Sequence, residues 1–217
     1  MKVHMKRQLR AFLLAMLCIV LVIPAMNVSA ATQRQKAIAA YKKYLSQTKV
    51  YLIPKGQSFH GYDYEDISYY GTPASKVSFC FLNIDNDGVP ELIVSGYLKG
   101  EPIYTVLTYK NGKICRASSV YGSKVRGYYP KTGIYLDHGD VGATYETYYR
   151  LKGVKASRVM DKYVFRPSTT ITIYSIGSNE VSARTFAAKR KSITGGKTLL
   201  KAKFYKNTAE NRKLRLK

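Results

Sequence analysis

The sequence predicts an α+β domain: an antiparallel β-meander packed by an N-terminal helix, with short basic helices at the C-terminal end. Three observations predict it. In "TQRQKAIAAYKKYLSQ", residues 32–47, apolar residues recur at helical spacing. From about residue 77 the period falls to two, in short segments punctuated by turn residues. Residues 181–217 return to helix-like text and are rich in lysine and arginine. Consecutive strands without helices between them favour antiparallel pairing.

In the first helix, Thr32 is the expected cap, and Ile38, Tyr41 and Leu45 form the apolar stripe. A loop rich in Gly, Tyr and polar residues follows, "GQSFHGYDYEDISYYGTPAS". "KVSFCFLNI" and "ELIVSGYL" are strand text. "IYTVLTYKNGKICRASSV" is a hairpin, turned at Asn111-Gly112, the favoured two-residue turn. "GIYLDHGDVGATYETYYRL" reads as a second hairpin, turned at "DHGDVG". "RPSTTITIYSI" alternates, with Ile171 and Ile173 on one face and Thr170, Thr172 and Tyr174 on the other. Then "EVSARTFAAKRKSIT" reads as a short basic helix begun by Ser182 and stopped at Gly195-Gly196. "KTLLKAKFY" reads as a last strand, and "NTAENRKLRL" as a terminal helix capped by Asn207 or Thr208.

The first thirty residues stand apart. "MKVHMKRQLR" is a positive leader, "AFLLAMLCIVLVIPAM" an apolar core, and small residues around Ala30 offer a cleavage site. This is the layout of a secretory signal peptide. It leaves a domain over 31–180, with 181–217 a basic segment packed on it or appended to it. Export would place the protein outside the cell or on its surface.

Charge is uneven. Residues 31–150 hold 15 basic and 10 acidic residues, whereas residues 151–217 hold 17 basic and only 3 acidic ones. Such a field bears on partners rather than fold. The expected partners are anionic polymers: wall phosphate polymer, acidic glycan or nucleic acid. The candidate contact residues are Lys189, Arg190, Lys191, Lys197, Lys201 and Lys203, then Arg212, Lys213 and Arg215 near the end.

Two cysteines follow the leader, Cys80 and Cys115, both in apolar, strand-like text. An exported pair is a disulfide candidate. Buried free cysteine also serves as a small hydrophobe. Tyrosine is abundant, with 20 in the chain and no tryptophan. In the pairs Tyr69-Tyr70, Tyr128-Tyr129 and Tyr148-Tyr149, strand alternation sends one ring to the core and one outside.

The most pointed stretch is "NIDNDGVPELIVSG", residues 83–96. Counted from Asn83, side-chain oxygens fall at the first, third, fifth and ninth places: Asn83, Asp85, Asp87 and Glu91. Gly88 sits where a sharp turn needs positive φ, and Val89 can offer its carbonyl. Calcium takes six to eight hard oxygen ligands, and this spacing wraps a short loop around one ion. It is not an EF-hand, because Val94 holds the twelfth place and strand text follows.

The pattern resembles the calcium loop of FG-GAP and VCBS repeats, as in integrin-type propellers. That resemblance covers about residues 77–96 and implies calcium bound between adjacent strands at Asn83, Asp85, Asp87, Val89 and Glu91. One loop cannot build a propeller, which needs several blades. The wider layout is similar to that of small secreted proteins of Gram-positive bacteria with one such loop. The shared parts are Ala40–Leu45, Phe79–Ile93 and Asn207–Lys213. This second resemblance supplies no activity. Asn83 stands where that loop usually has Asp, which removes one charge.

Other chemistry is thinly represented. Only His60 and His138 follow the leader, so no histidine metal set exists, and no G-x-S-x-G elbow appears. "SITGGKT" lacks the first glycine and the preceding strand of a P-loop. The expectation is therefore a secreted, non-catalytic domain with one structural calcium and a basic, polymer-binding surface. The alternative is an exported metal-dependent hydrolase, phosphodiesterase-like, using Asp85, Asp87 and Glu91.

Overall fold

The structure, a computed structural model, describes residues 32–52, 71–98, 101–141, 143–165 and 170–217. The expected signal peptide, most of the Gly- and Tyr-rich loop, His60 and the Tyr69-Tyr70 pair lie outside the described residues. Helix α1 spans residues 32–45. Strands β1 (Lys49–Tyr51) and β2 (Gly71–Pro73) pair with each other alone. The two main sheets are antiparallel throughout, as the meander requires.

The first sheet contains β3 (Ser78–Leu82), β4 (Glu91–Leu98), β5 (Glu101–Lys110), β6 (Lys113–Tyr121) and, at one edge, β14 (Tyr205–Lys206), in the order β14-β3-β4-β5-β6. The second contains β7 (Lys124–Tyr129), β8 (Ile134–Val141), β9 (Ala143–Lys152), β10 (Lys155–Phe165), β11 (Ile171–Ile176), β12 (Asn179–Glu180) and β13 (Leu200–Lys201), in the order β12-β11-β10-β9-β8-β7-β13. Helices α2 (Ala183–Thr194) and α3 (Ala209–Arg215) complete the chain.

Side-chain parity stacks these elements in layers. Phe79, Leu92, Val94, Ile103 and Leu107 share one buried cluster with Ala37, Tyr41, Tyr44 and Leu45 of α1. The opposite parity of the same strands, Cys80, Leu82, Ile93 and Val106, meets Val125, Tyr135 and Leu151 of the second sheet. The far side of the second sheet, with Tyr129, Leu136, Tyr148 and Met160, buries Phe186 and Ile193 of α2. Each fully buried leucine or isoleucine contributes about 1.5–3 kcal/mol relative to exposure.

Layering overturns one expectation. Tyr128 and Tyr149 face the inter-sheet cluster while Tyr129 and Tyr148 face α2, so the rings do alternate. The ring on the inter-sheet side is only partly buried in each pair, however, rather than fully outside, because the first sheet packs against that face. The turn of the second hairpin also differs. "DHGDV" continues β8, and pairing runs as far as Val141 with Ala143. The first hairpin turns as expected, with Asn111 at φ 51° and Gly112 at φ 78°.

The C-terminal segment belongs to the fold. Ser182 caps α2 by accepting from the Thr185 N–H, and Gly195 ends it at φ 59°. The expected single strand over 197–205 is two short ones on different sheets: β13 pairs with β7, and β14 pairs with β3. The chain thus crosses from one sheet edge to the other. Gly127 permits the approach, since a Cβ there would lie 2.3 Å from the Leu200 carbonyl oxygen. Thr208 caps α3. Asn207 Nδ2 donates to the Leu45 carbonyl oxygen at 2.8 Å, which satisfies an end of α1, and Leu216 is buried in the α1 cluster.

Candidate functional site

The acidic loop leaves β3 at Leu82 and re-enters at β4 with Glu91, so the first sheet holds both its ends. Ile84 is fully buried between the sheets, and its carbonyl accepts from the Gly133 N–H at 3.0 Å. That bond ties the loop to the β7–β8 turn. Gly88 turns the chain at φ 81°. Asp85 Oδ1 accepts from the Asp87 N–H at 3.2 Å, and Asp87 Oδ1 accepts from the Val89 N–H at 2.8 Å. These local bonds fold the loop back on itself.

The three carboxylates converge. One oxygen from each of Asp85, Asp87 and Glu91 lies within 4.8 Å of the others. Glu91 is completely buried; its Oε2 accepts from the Ile84 N–H at 2.8 Å, while Oε1 has no protein partner. Asn83 Oδ1 is likewise buried without a partner. Burial, then the nearby Asp85 and Asp87, pushes the Glu91 carboxyl up to about 9. Burial also lifts Asp85 to about 6. Tyr41 of α1 adds a buried, unpartnered hydroxyl close to the site. Burial, followed by Glu91 and Asp87, holds its proton far above the ordinary tyrosine range.

Three of the five expected metal ligands, Asp85, Asp87 and Glu91, therefore present side-chain oxygens in one small volume. Val89 contributes its N–H to Asp87 and packs against the α1 cluster. The donor set is hard oxygen throughout, which fits calcium better than a soft metal.

The nine expected polymer-binding cations are divided among three places. Arg190, Lys191 and Lys197 line a cavity with Tyr129 and Thr194, and Lys189 lies exposed on the same helix. Lys201, Lys203 and Arg215 line a second, with Tyr128, Tyr205 and Cys80. Arg212 and Lys213 line a third, joined by Lys42 and Lys43 of α1. The ion pairs Arg126–Glu146 and Arg158–Asp161 use none of these cations. Two of the nine also have structural duties. Lys197 Nζ donates to the Pro130 carbonyl oxygen at 2.8 Å, and Arg212 Nη1 donates to Asn207 Oδ1 at 2.8 Å.

The disulfide expectation is corrected. Cys80 and Cys115 are both free. Cys80 is on β3 and Cys115 on β6, with β4 and β5 between them. Three interstrand spacings place their backbones about 14 Å apart, twice the reach of a disulfide. Burial pushes the Cys80 thiol up to about 12, so it acts as an inert core group.

Sequence reasoning missed two buried acids. Asp137 and Asp161 flank Thr147 in register across β8, β9 and β10, and all three are buried. Ser123 donates to Asp137 Oδ2 at 2.8 Å, and Arg158 Nε donates to Asp161 Oδ2 at 2.6 Å. Each acid keeps a second oxygen with no partner. Burial lifts Asp137 to about 7. The available signal was parity: Asp137 lies two residues from the core Tyr135. Reading "DHGDVG" as a turn concealed it.

Comparison with family models, curated proteins and solved structures gives no match for this chain.

Proposed function

We propose that this chain is an exported, non-catalytic domain in which one structural calcium ion fastens the 83–91 loop and a basic edge holds anionic polymers outside the cell. The observation that carries the calcium reading is Glu91. A completely buried carboxyl with an unpartnered oxygen, beside two more carboxylates, has no ion-pair partner among the described residues. Such a group is costly unless it is neutralised. A divalent cation would turn the mutual repulsion of Asp85, Asp87 and Glu91 into attraction, with Asn83 as a further oxygen donor. Calcium here would lock β3 to β4 and, through Ile84, to the β7–β8 turn.

A catalytic metal would need an acid–base group of suitable pKa beside the substrate position. Tyr41 is the titratable side chain that reaches the carboxylates from α1, and it is fully buried, away from any substrate in water. This favours the structural role over the hydrolase. The polymer reading rests on the exposed cations of the C-terminal segment, which border cavities and lie outside both ion pairs.

The deciding experiment is a melting titration of the secreted form, beginning at Ala31, with calcium and with magnesium as control. The melting temperature should rise with calcium, saturate near 10⁻⁴–10⁻³ M, and respond weakly to magnesium. An identical melt in chelator and in saturating calcium rejects the site.

A further inference from the structure

We propose that the crossover between the sheet edges, residues 197–206, forms the seat for one chemical class of polymer: a linear polyol phosphodiester that carries no bases. The proposal rests on the polyanion reading above and specifies its site and ligand. Three features support it.

First, the crossover brings cations together from separate elements. Lys201 belongs to β13 on the second sheet, Lys203 to the crossing residues, and Arg215 to α3. They border one open cavity of about 430 Å³ between the sheet edges. All three residues are exposed. No carboxylate borders this cavity or the adjoining one holding Arg190, Lys191 and Lys197. Leu199 borders the one and Leu200 the other, so the two cavities follow each other along the chain. Fully extended, the nine steps from Lys197 to Lys206 reach about 30 Å. That length suits several repeats of a linear polymer better than a single small anion.

Second, the aromatic rings are already engaged. The Arg215 guanidinium lies 4.3 Å from the centroid of Tyr205, and Lys203 Nζ lies 5.6 Å from it. Phe79 packs against the same ring at 6.5 Å. Tyr128 packs into the inter-sheet cluster. Single-stranded nucleic acid binds by stacking its bases on free aromatic faces, and this groove commits its rings to its own cations and core. It offers charge without a stacking platform.

Third, two of the three cations that border the groove are lysines. An ammonium group donates in any direction and suits a tetrahedral phosphate, whereas a planar carboxylate is best met by an arginine fork. The groove's one arginine lies over Tyr205.

Binding should be measured by calorimetry at low salt with three probes of matched charge: a glycerol-phosphate oligomer, polygalacturonate and oligo-dT. The variants are Lys201→Gln/Lys203→Gln and, as a charge-matched control, Lys110→Gln/Lys113→Gln at the exposed β5–β6 turn. The wild type should bind the glycerol-phosphate oligomer most tightly. The groove pair should weaken binding by about tenfold and reduce the salt slope by about two, while the control pair stays within about twofold. Independently of any mutation, the oligomer should shield Lys201 and Lys203 of the wild-type protein from amine acylation, but not Lys110 or Lys113. Equal losses in both pairs, equal shielding of all four lysines, or tighter binding of oligo-dT or polygalacturonate overturns the groove assignment alone. If the wild type binds none of the three probes, the polyanion reading itself fails.

Discussion

The loop at 83–91 and the edge at 189–215 both concentrate charge of one sign, and they handle it in opposite ways. In the loop, three carboxylates approach within 4.8 Å, and the innermost is fully buried. Along the edge, most of the cations stand in water and spread over three cavities. A buried charge costs several kcal/mol unless something specific answers it. A solvated charge costs little and acts only in numbers, through screened contacts. The loop should therefore respond to one ion in an all-or-none way, and the edge to salt in a graded way. Asp137 sharpens the contrast, because it is buried like Glu91 but lies outside the loop cluster.

The largest expected effect comes from Asp137. Its folded-state pKa is raised to about 7, above an unfolded value near 3.9. Between those values the folded state binds more protons than the unfolded state, so this group makes stability fall as pH rises from about 4 to 7. The full span corresponds to at most about 4 kcal/mol. Asp137→Asn keeps an acceptor for Ser123 and removes the charge. The variant should gain on the wild type as pH climbs through this window and hold a constant lead above it. Denaturant melts of both proteins at several pH values test this; a difference that does not change with pH rejects it.

Next is the loop. At ten times its dissociation constant, calcium adds about 1.4 kcal/mol, roughly 3–6 °C for a chain of this size. Asp85→Ala or Asp87→Ala should abolish that gain while changing the chelated melt far less. If either variant keeps the full calcium shift, the carboxylates are not ligands and the contrast with the edge collapses.

How much of this was legible beforehand follows the same division between local and long-range information. Local chemistry could be read directly: Ser182 and Gly195 bound α2, Asn111-Gly112 turns the first hairpin, and the Asn83-to-Glu91 spacing brings three carboxylates together. Whatever depended on which surface covers which could not. Tyr128 and Tyr149 were expected to leave one ring of each pair outside, yet the first sheet covers one face and α2 the other. Residues 197–205 carry strand text without a break, and nothing local says that the chain changes sheets in their midst. Asp137 shows both limits, since a turn-like composition hid the strand parity that buries it.

A smaller effect separates cations within the edge. Lys189 and Lys191 are exposed, whereas the Arg190 guanidinium lies near the hydroxyl of the buried Tyr148. Lys189→Gln/Lys191→Gln should weaken polyanion binding and leave stability within about 0.5 kcal/mol. Arg190→Gln should additionally cost up to about 1 kcal/mol, because it removes the guanidinium beside the Tyr148 hydroxyl. Equal melting temperatures for the two variants would make Arg190 another solvated charge.

The smallest effect concerns groups that carry no charge in the fold. Cys80 is buried with its thiol pushed up to about 12, and Cys115 is only partly buried on the far strand of the sheet. Thiolate is the reactive form, so exposure and pKa together set the rate of alkylation. In native protein purified without reductant, Cys115 should react with a maleimide well before Cys80. In denaturant both should titrate, which gives two thiols per chain for protein beginning at Ala31. A chain with no titratable thiol would mean that β3 and β6 exchange neighbours to form a bridge. That would undo the strand order that carries the loop and one border of the crossover groove alike.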